Sequence, residues 1–274
     1  HANSAALGVS STKHFNVILI HGWACGWQDW SGVISRLSDD VEIGVVKLPG
    51  SPDAVPLEGR ISLSECAAHV IAQADELGFE SFTVVGHSMG ARIAIELAAN
   101  WQGRISHLLL LDGSNVPGDP DKAVARLANQ IARLGQQSWA EAAFGSMMLD
   151  NLSPDKKRNI VNRAAQYQAN VLMEYYYAMT EWDCDKFVAS VAQLKCSVTI
   201  LQSTSLDKNE IRRSITSHPS SLWLDVLKDL APWSSIKIVQ NTGHFIMLER
   251  PQLIAKYVEQ AFSNHVNLKL PNLK

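Results

Sequence analysis

The chain has 274 residues, of which 46% are hydrophobic and 19% charged, so it can bury one sizeable core, and extensive disorder is excluded. Its formal net charge of −3 provides no basic stripe for a phosphate backbone, so nucleic acid is not expected as a partner. The longest apolar runs have the length of a strand, far below the ~20 residues that cross a bilayer, so the sequence predicts no membrane association.

The cysteines indicate the cellular environment. The chain has four, Cys25, Cys66, Cys184 and Cys196, and they are scattered without a Cys-x-x-Cys pair. We therefore expect free thiols in a reducing compartment, which favours a cytoplasmic location. The polar segment 1–13 is expected to be a remnant added to the chain or left by processing, without a readable signal peptide.

The first predicted strand covers residues 14–20 and ends at His21-Gly22-Trp23, where glycine permits a tight turn. The loop there can direct the backbone N–H of Trp23 at an oxyanion. Trp23, Trp27 and Trp30 follow one another at helical spacing, which predicts that they share one face of a helix. We expect Trp30 in the core and Trp23 on a pocket wall. His21 beside it is expected to shape the loop and to line the pocket.

A second predicted strand follows at residues 41–48, and its exit at 49–53 has the composition of a surface loop. Apolar residues then recur at helical spacing as far as Leu77. Either Ser62 or Ser64 can cap this helix at its N-terminus.

A nucleophile elbow is predicted at Gly86-His87-Ser88-Met89-Gly90. Apolar β-branched residues precede it and good helix formers follow, so Ser88 lies between a strand and a helix, as this motif requires. The two glycines carry no Cβ atoms to collide where strand and helix cross, and strain at the turn exposes the serine hydroxyl. The N–H of Met89 can join that of Trp23 in an oxyanion hole. His87 points away from Ser88 and is expected to be structural or to line the pocket.

The next buried strand is predicted at residues 105–111 and ends at Asp112. Up to this point strands and helices alternate, and the strands are almost continuously apolar. This pattern is typical of a parallel sheet covered by helices on both faces.

From residue 117 to residue 194 the pattern becomes helical, with segments predicted at 122–135, 138–148, 154–178 and 184–194. We interpret this stretch as a helical cap. It is rich in large apolar side chains, which as a set indicate an apolar substrate cavity, and we expect Trp139, Met147 and Tyr176 on its wall.

The chain then returns to the sheet with a predicted strand at 197–202, an amphipathic helix at 221–230 and a last strand at 236–240. The exit of that strand carries Gly243-His244-Phe245. A final helix is predicted at 251–262.

A serine hydroxyl needs a base to take its proton, and the base needs a third group to fix its tautomer. Among nine histidines, His244 follows a turn glycine after the last strand, late in the chain, which favours it as the base for Ser88. Two aspartates can supply the acid. Asp207 occupies the usual position in chain order and is favoured, although five residues separate it from its strand; Asp112, directly at a strand end, is the alternative.

These three motifs, His21-Gly22-Trp23, the elbow and Gly243-His244-Phe245, together resemble the α/β-hydrolase superfamily over residues 14–263. Within it, the opening motif resembles the methyl esterases that act on pimeloyl carrier-protein esters, and small-molecule esterases and lactonases. The resemblance implies an eight-stranded sheet with a cap after the sixth strand. The chain departs from the pattern in two places. The N-terminal hairpin is not found, which leaves about six strands, and the frequent Asp-x-Pro-Gly-x-Gly is replaced by the residues at 47–52.

The fold class expected is therefore α/β, an α/β-hydrolase fold with a mostly parallel sheet and a helical cap. The predicted core comprises residues 14–116 and 195–263, the cap comprises 117–194, and the segments 1–13 and 264–274 are tails.

The function expected is hydrolysis of a carboxylic ester or lactone of a small, largely apolar molecule through an acyl-enzyme, with neither a metal nor a cofactor. An alternative on the same fold is a cofactor-free dioxygenase that opens a quinolone-type ring, with a histidine base and an acid at the position of Asp112. A non-enzymatic receptor is a third hypothesis, against which the apparently intact set of Ser88, His244 and an acid argues. The oligomeric state is left open.

Overall fold

The computed structural model describes residues 15–268 except 150, 208 and 218–220, and the side chains as far as residue 264. The predicted tail at 1–13, the first residue of the predicted first strand, and residues 269–274 lie outside this part of the chain. Within it, no helix is long and apolar enough to cross a bilayer. All four cysteines are free, as predicted, and Cys25 and Cys66 are buried.

A six-stranded parallel sheet forms the centre of the fold, as the sequence predicted. The strand Phe82–His87, one of the two in the middle of this sheet, is buried along its whole length, which requires helices on both faces. A separate antiparallel pair, β6 and β7, was not predicted. The strands are β1 (Phe15–Ile20), β2 (Val41–Val45), β3 (Phe82–His87), β4 (Ile105–Leu111), β5 (Ser197–Gln202), β6 (Thr204–Leu206), β7 (Arg212–Ser214) and β8 (Ser235–Ile238), and the order in the large sheet is β2-β1-β3-β4-β5-β8.

Helices connect these strands, and five of them lie between β4 and β5. They are α1 (Ser31–Ile34), α2 (Leu63–Glu76), α3 (Met89–Asn100), α4 (Pro120–Leu134), α5 (Gln136–Gly145), α6 (Pro154–Gln166), α7 (Ala169–Asp185), α8 (Phe187–Ala192), α9 (Leu222–Leu230), α10 (Ile246–Glu249) and α11 (Pro251–Leu268). We call the helices α4 to α8 the cap. Ser62 caps α2 through a capping box with Glu65. The helix α11 continues past the predicted end at 262 and into the predicted tail.

The prediction that Trp23, Trp27 and Trp30 share one face of a helix is wrong. Ala24 has a positive φ of 55° and Gly26 is extended, so the chain after the first strand forms a turn instead of a helix. Only a 3₁₀ turn at Trp27–Trp30 and the short α1 follow. Trp30 is nevertheless fully buried in the core, and Trp23 is half-buried and points elsewhere.

The long helix expected at 154–178 is two helices, because Tyr167 and Gln168 are both extended. The Gln136 side chain donates to the Tyr167 carbonyl oxygen at 2.6 Å, which satisfies a backbone acceptor released by the break. The predicted 184–194 segment likewise divides, since α7 runs through Asp185 before the short α8 begins. The break at Tyr167 turns its side chain toward the core domain, with consequences for the site described below.

Buried polar contacts join the cap to the elbow helix. Glu96 of α3 accepts hydrogen bonds from Ser64 of α2, Trp182 of α7 and Ser190 of α8, at 2.6 to 2.9 Å. Burial acts to raise the pKa of Glu96, but these three donors and the nearby Lys186 outweigh it and lower the pKa. The carboxylate therefore stays ionised and ties α2, α7 and α8 to the helix that begins after Ser88.

Candidate active site

Ser88 lies at a sharp turn between β3 and α3. Its φ of 55° and ψ of −111° are strained for a residue with a side chain. A Cβ atom on Gly86 would lie 2.2 Å from the Gly90 carbonyl oxygen, and one on Gly90 would lie 2.2 Å from the Ile20 carbonyl oxygen. Only glycine fits at either place, so the tight elbow predicted from the sequence is present in the structure.

The register of the sheet brings Asp112 to the same edge as Ser88. His87 and Leu111, the last residues of β3 and β4, are paired partners, so the residues after them leave neighbouring strands at one level. Backbone hydrogen bonds continue past both strand ends, from Ser88 N to the Leu111 oxygen and from Asp112 N to the Leu201 oxygen. Asp112 has a φ of 44°, a second strained position beside the first.

The imidazole of His244 contacts Asp112, not Asp207. His244 Nδ1 donates to Asp112 Oδ2 at 2.7 Å, and both side chains are almost completely buried. The other donors to this carboxylate are Ser203 N and Thr204 N on Oδ1, and the Thr204 hydroxyl on Oδ2. The preference for Asp207 as the partner of His244 is therefore corrected in favour of Asp112.

Asp207 lies in the tight connection between β6 and β7. Its carboxylate accepts backbone N–H groups from Asn209 and Ile211 and a side-chain N–H from Arg213. These are the contacts of a turn-stabilising aspartate. The antiparallel pair that follows β5 carries Asp207 out of reach, which is why the usual position in chain order misled the prediction.

The hydrogen bond from His244 Nδ1 to Asp112 fixes the tautomer of His244. A carboxylate only accepts, so Nδ1 carries the proton and Nε2 of the neutral ring keeps its lone pair. Burial, with a contribution from the nearby Arg212 charge, lowers the pKa of His244 to about 4. Burial acts to raise the pKa of Asp112, but the His244 hydrogen bond and the Arg212 charge outweigh it and lower the pKa. The pair is thus a neutral imidazole on an ionised carboxylate.

His87 was expected to be structural or to line the pocket, and His21 to shape the loop and line the pocket. The structure places both in the protein interior, outside the cavity lining, so the expectation of pocket-lining residues is wrong. His87 Nε2 donates to the His244 carbonyl oxygen at 2.8 Å, and His21 Nδ1 donates to the Gly22 carbonyl oxygen at 2.9 Å. Burial lowers the pKa of His87 to about 3 and that of His21 to about 4. Both are neutral residues that fix the loops around Ser88 instead of wall residues.

A cavity of about 360 Å³ lies between the sheet edge and the cap, and both Ser88 and His244 line it. Aromatic and apolar residues of its wall include Trp23, Trp139, Met147 and Tyr176. Polar residues of the wall include Ser114, Arg92, Arg126, Asp183, Glu210 and Arg212. The wall is therefore more polar than the apolar cavity that the sequence predicted.

The charged residues of the wall were missed by the sequence analysis. Arg92 lies one helical turn after Ser88, a position from which it could have been considered. It forms a forked pair with Asp183 of α7, with both N–O distances at 2.8 Å. No local sequence pattern places Asp183 or Arg212 on the wall, because each is brought there by contacts with residues distant in sequence.

The cap also holds the loop that contains Trp23. Trp23 Nε1 donates to the Leu172 carbonyl oxygen of α7 at 3.0 Å, and the Tyr167 hydroxyl donates to the Cys25 carbonyl oxygen at 2.5 Å. Arg163 of α6 forms a forked pair with Asp29 at 2.7 and 2.8 Å. Loop and cap are thus joined by buried polar contacts on either side of the strained Ala24.

A family model described as the alpha/beta hydrolase family matches residues 17–257. The chain therefore belongs to the α/β-hydrolase family, as its motifs suggested.

Relatives of known function share this fold. The chain is 24% identical over 267 residues to a soluble epoxide hydrolase from Corynebacterium sp. (strain C12). The matched region covers 90% of this chain and 89% of that protein. It is 32% identical over 99 residues to a pimeloyl-[acyl-carrier protein] methyl ester esterase from Pectobacterium carotovorum subsp. carotovorum (strain PC1), covering 36% of this chain and 37% of that one. The solved enol-lactonase from Burkholderia xenovorans LB400 matches with a TM-score of 0.76 at 15% identity, covering 91% and 92% of the two chains.

The structural likeness shows the fold alone, because so few residues are identical. The predicted resemblance to esterases and lactonases of this superfamily is confirmed. The family and its relatives also support the coarser part of the functional prediction, a hydrolase.

The environment of His244 leads to a prediction about its titration. We expect its imidazole to stay neutral at pH 5.5 and to titrate near pH 4, because burial and the Arg212 charge disfavour the protonated ring. Ring ¹⁵N chemical shifts followed by NMR from pH 8 downward would measure this, with the signal assigned by its absence from His244→Gln. A midpoint at or above the ~6.5 of an unperturbed histidine would contradict the prediction.

Proposed function

We propose that this protein is a serine hydrolase that cleaves a carboxylic ester or lactone through an acyl-enzyme. The observation that carries the proposal is the 2.7 Å hydrogen bond from His244 Nδ1 to Asp112, because it leaves Nε2 unprotonated on a ring that lines the same cavity as Ser88. A base whose tautomer is fixed by a carboxylate is what a serine nucleophile needs.

The proposed reaction has two halves. Ser88 Oγ attacks the carbonyl carbon while His244 Nε2 accepts the hydroxyl proton, and a tetrahedral oxyanion forms. His244 then gives that proton to the leaving alkoxide, which leaves an ester on Ser88. A water molecule attacks this acyl-enzyme, His244 takes its proton and returns it to Ser88 Oγ, and the acid is released. In a lactone, the alkoxide stays attached to the acyl group.

The proposed oxyanion hole is formed by the backbone N–H groups of Met89 and Trp23. Met89 is the first residue of α3, where N–H groups have no partner within the helix. The loop of Trp23 passes close to the elbow, because a Cβ atom on Gly22 would lie 3.3 Å from Ser88 Cβ. Its contacts with the cap give that loop a fixed position, which oxyanion stabilisation requires.

Covalent labelling tests the proposal directly. We expect a fluorophosphonate probe to modify Ser88 in the wild type, and mass spectrometry of the peptide identifies the site. Ser88→Ala should remain unlabelled and lose hydrolysis of short ethyl esters. A wild type that hydrolyses these esters while Ser88 stays unlabelled would defeat the assignment.

The acid is tested by a matched pair of substitutions. Asp112→Asn should lower kcat by about four orders of magnitude, because His244 loses the partner that fixes its tautomer and stabilises its charge. Asp207→Asn, which changes a turn, should keep kcat within about threefold. Kinetics on a short ethyl ester, with the melting temperature of each variant, would measure both effects. Equal losses in the two variants would contradict the assignment.

A second matched pair tests whether the cap supports the oxyanion hole. Tyr167→Phe removes the hydrogen bond to Cys25 beside Trp23, and we expect about a tenfold fall in kcat with little change in KM. Tyr175→Phe removes a bond from the cap to Pro49, at 2.8 Å, in the loop after β2 and not in the loop of Trp23. Its kcat should stay within about twofold of the wild type.

Tyr167→Phe loses a buried hydrogen bond, and Tyr175→Phe loses a part-buried one together with its contact to the Cys66 thiol. The loss of stability in Tyr175→Phe should therefore be at least as large as in Tyr167→Phe, about 1–3 kcal/mol. A trifluoromethyl ketone inhibitor, whose adduct carries an oxyanion, should bind more weakly to Tyr167→Phe in proportion to kcat. If the two variants lost kcat equally, the cap would act on general stability alone.

One observation favours the second candidate function, a cofactor-free dioxygenase. The acid that contacts His244 is Asp112, at the end of β4, which is the acid position that this alternative implied. In that reaction His244 would take a proton from a hydroxyquinolone and Ser88 would be auxiliary. Oxygen uptake with a hydroxyquinolone, measured beside ester hydrolysis, separates the two, since only the dioxygenase consumes oxygen and tolerates Ser88→Ala.

A further inference from the structure

Three arginines have side chains at least 87% buried, and they differ in their partners. Arg92 and Arg163 each hold a carboxylate with two N–O contacts of 2.7 or 2.8 Å. Arg212 donates hydrogen bonds to hydroxyls only, Thr204 Oγ1 at 3.2 Å and Ser114 Oγ at 3.3 Å, and its one carboxylate contact is a single approach to Asp112 at 3.6 Å. A buried guanidinium normally needs a carboxylate to offset the loss of water, so Arg212 is the exception among the described residues.

Asp112 does not fill this role. Its nearest oxygen lies 3.6 Å from Arg212 Nη1, beyond hydrogen-bond distance. Both of its oxygens already accept two hydrogen bonds each, from Ser203 N and Thr204 N on one side and from Thr204 Oγ1 and His244 Nδ1 on the other. Asp112 is thus committed to His244 and to the backbone after β5.

Arg212 therefore has unused donors. A guanidinium has five N–H groups, and two hydrogen bonds to described residues account for the contacts of this one. Arg212 lines the same cavity as Ser88 and His244. A molecule bound in that cavity therefore lies against a wall that contains both Arg212 and the serine.

The pairing of the wall charges points the same way. The charged side chains of the wall are the guanidiniums of Arg92, Arg126 and Arg212 and the carboxylates of Asp183 and Glu210, while His244 is neutral. Arg92 and Asp183 form a forked pair, and Arg126 and Glu210 are exposed to solvent. Among the described residues, Arg212 is therefore the buried cation of the wall that no wall carboxylate pairs, and Asp112, 3.6 Å away and already accepting four hydrogen bonds, is the carboxylate beside it.

We propose that the substrate carries a carboxylate besides the ester or lactone group, and that Arg212 binds it. This inference rests on the proposed hydrolase function and deepens it. A carboxylate matches the fork of a guanidinium and gives the strongest pairing available there. The aromatic and apolar side chains of the wall then contact the methylene chain between the two groups. The substrates are half-esters of dicarboxylic acids, or lactones that bear a carboxylate.

Two series of ethyl esters of equal chain length test the proposal. One series comprises the monoethyl esters of succinate, glutarate and adipate, and the other comprises ethyl butanoate, pentanoate and hexanoate. We expect wild-type kcat/KM to be at least tenfold higher for the half-ester than for its neutral partner at the best length. Release of ethanol measures both series in the same assay.

Arg212→Met identifies the residue responsible. Because Arg212 also lies near Asp112, this variant can lose activity on both series, and the ratio of the two kcat/KM values removes that common effect. We expect the ratio to fall by about 100-fold, the effect of removing one partner of a desolvated charge pair. Arg212→Lys keeps the charge without the fork and should recover part of the ratio. Fluorophosphonate labelling of Ser88 and the melting temperature show that each variant is folded.

The outcomes separate this inference from the function on which it rests. Hydrolysis of the neutral esters with no preference for half-esters at any length would overturn the inference and leave the hydrolase intact. An unchanged ratio in Arg212→Met would also overturn it and make Arg212 a support for Asp112. Hydrolysis of neither series overturns the inference, and absence of Ser88 labelling in the same sample would show that the hydrolase proposal fails as well.

Discussion

The buried carboxylate of Asp112 is the constraint on which the rest of the site depends. An ionised group with no exposure to water is stable only if its oxygens are paired, and Asp112 accepts four hydrogen bonds. The donors come from the segment after β5 and from the loop that carries His244. One side chain at the end of β4 thus joins the ends of three strands, and the paired register of β3 and β4 sets Ser88 beside them.

The cap belongs to the site as much as the sheet does. Its forked ion pairs, Arg163 with Asp29 and Arg92 with Asp183, reach the loop after β1 and the elbow helix. Buried pairs add little net stability compared with apolar packing, but losing one partner costs about 3–5 kcal/mol. We therefore interpret the two pairs as determinants of orientation. They fix which face of the cap lies over the nucleophile. Among the described residues, Arg212 is the buried guanidinium without such a forked pair.

The sequence predicted what short segments determine. The elbow at Ser88 needs only a strand, two glycines and a helix, and His244 follows a strand and a turn glycine. The acid could not be ranked in this way, because its identity depends on the antiparallel pair β6 and β7, whose strands have only three residues each. The pair Arg92–Asp183 joins residues 91 positions apart, and no local pattern indicates such a contact. The charged residues of the cavity wall were not predicted, for the same reason. The apolar side chains of the cap were predicted, because the composition of that segment is enough to indicate them.

The three histidines around the elbow have a consequence for the whole molecule. His21, His87 and His244 are buried and neutral, with pKa values of about 4, 3 and 4, whereas each would titrate near 6.5 in the unfolded chain. Between the native and the unfolded pKa values, the unfolded chain binds protons at these three side chains and the native structure does not. The free energy of unfolding therefore falls as the pH falls. The slope approaches about 4 kcal/mol per pH unit, since each proton contributes about 1.4. A fall of a few tenths of a pH unit below 6 therefore lowers the free energy of unfolding by about as much as a mild core substitution, and unfolding in mild acid is coupled to proton uptake at these three side chains.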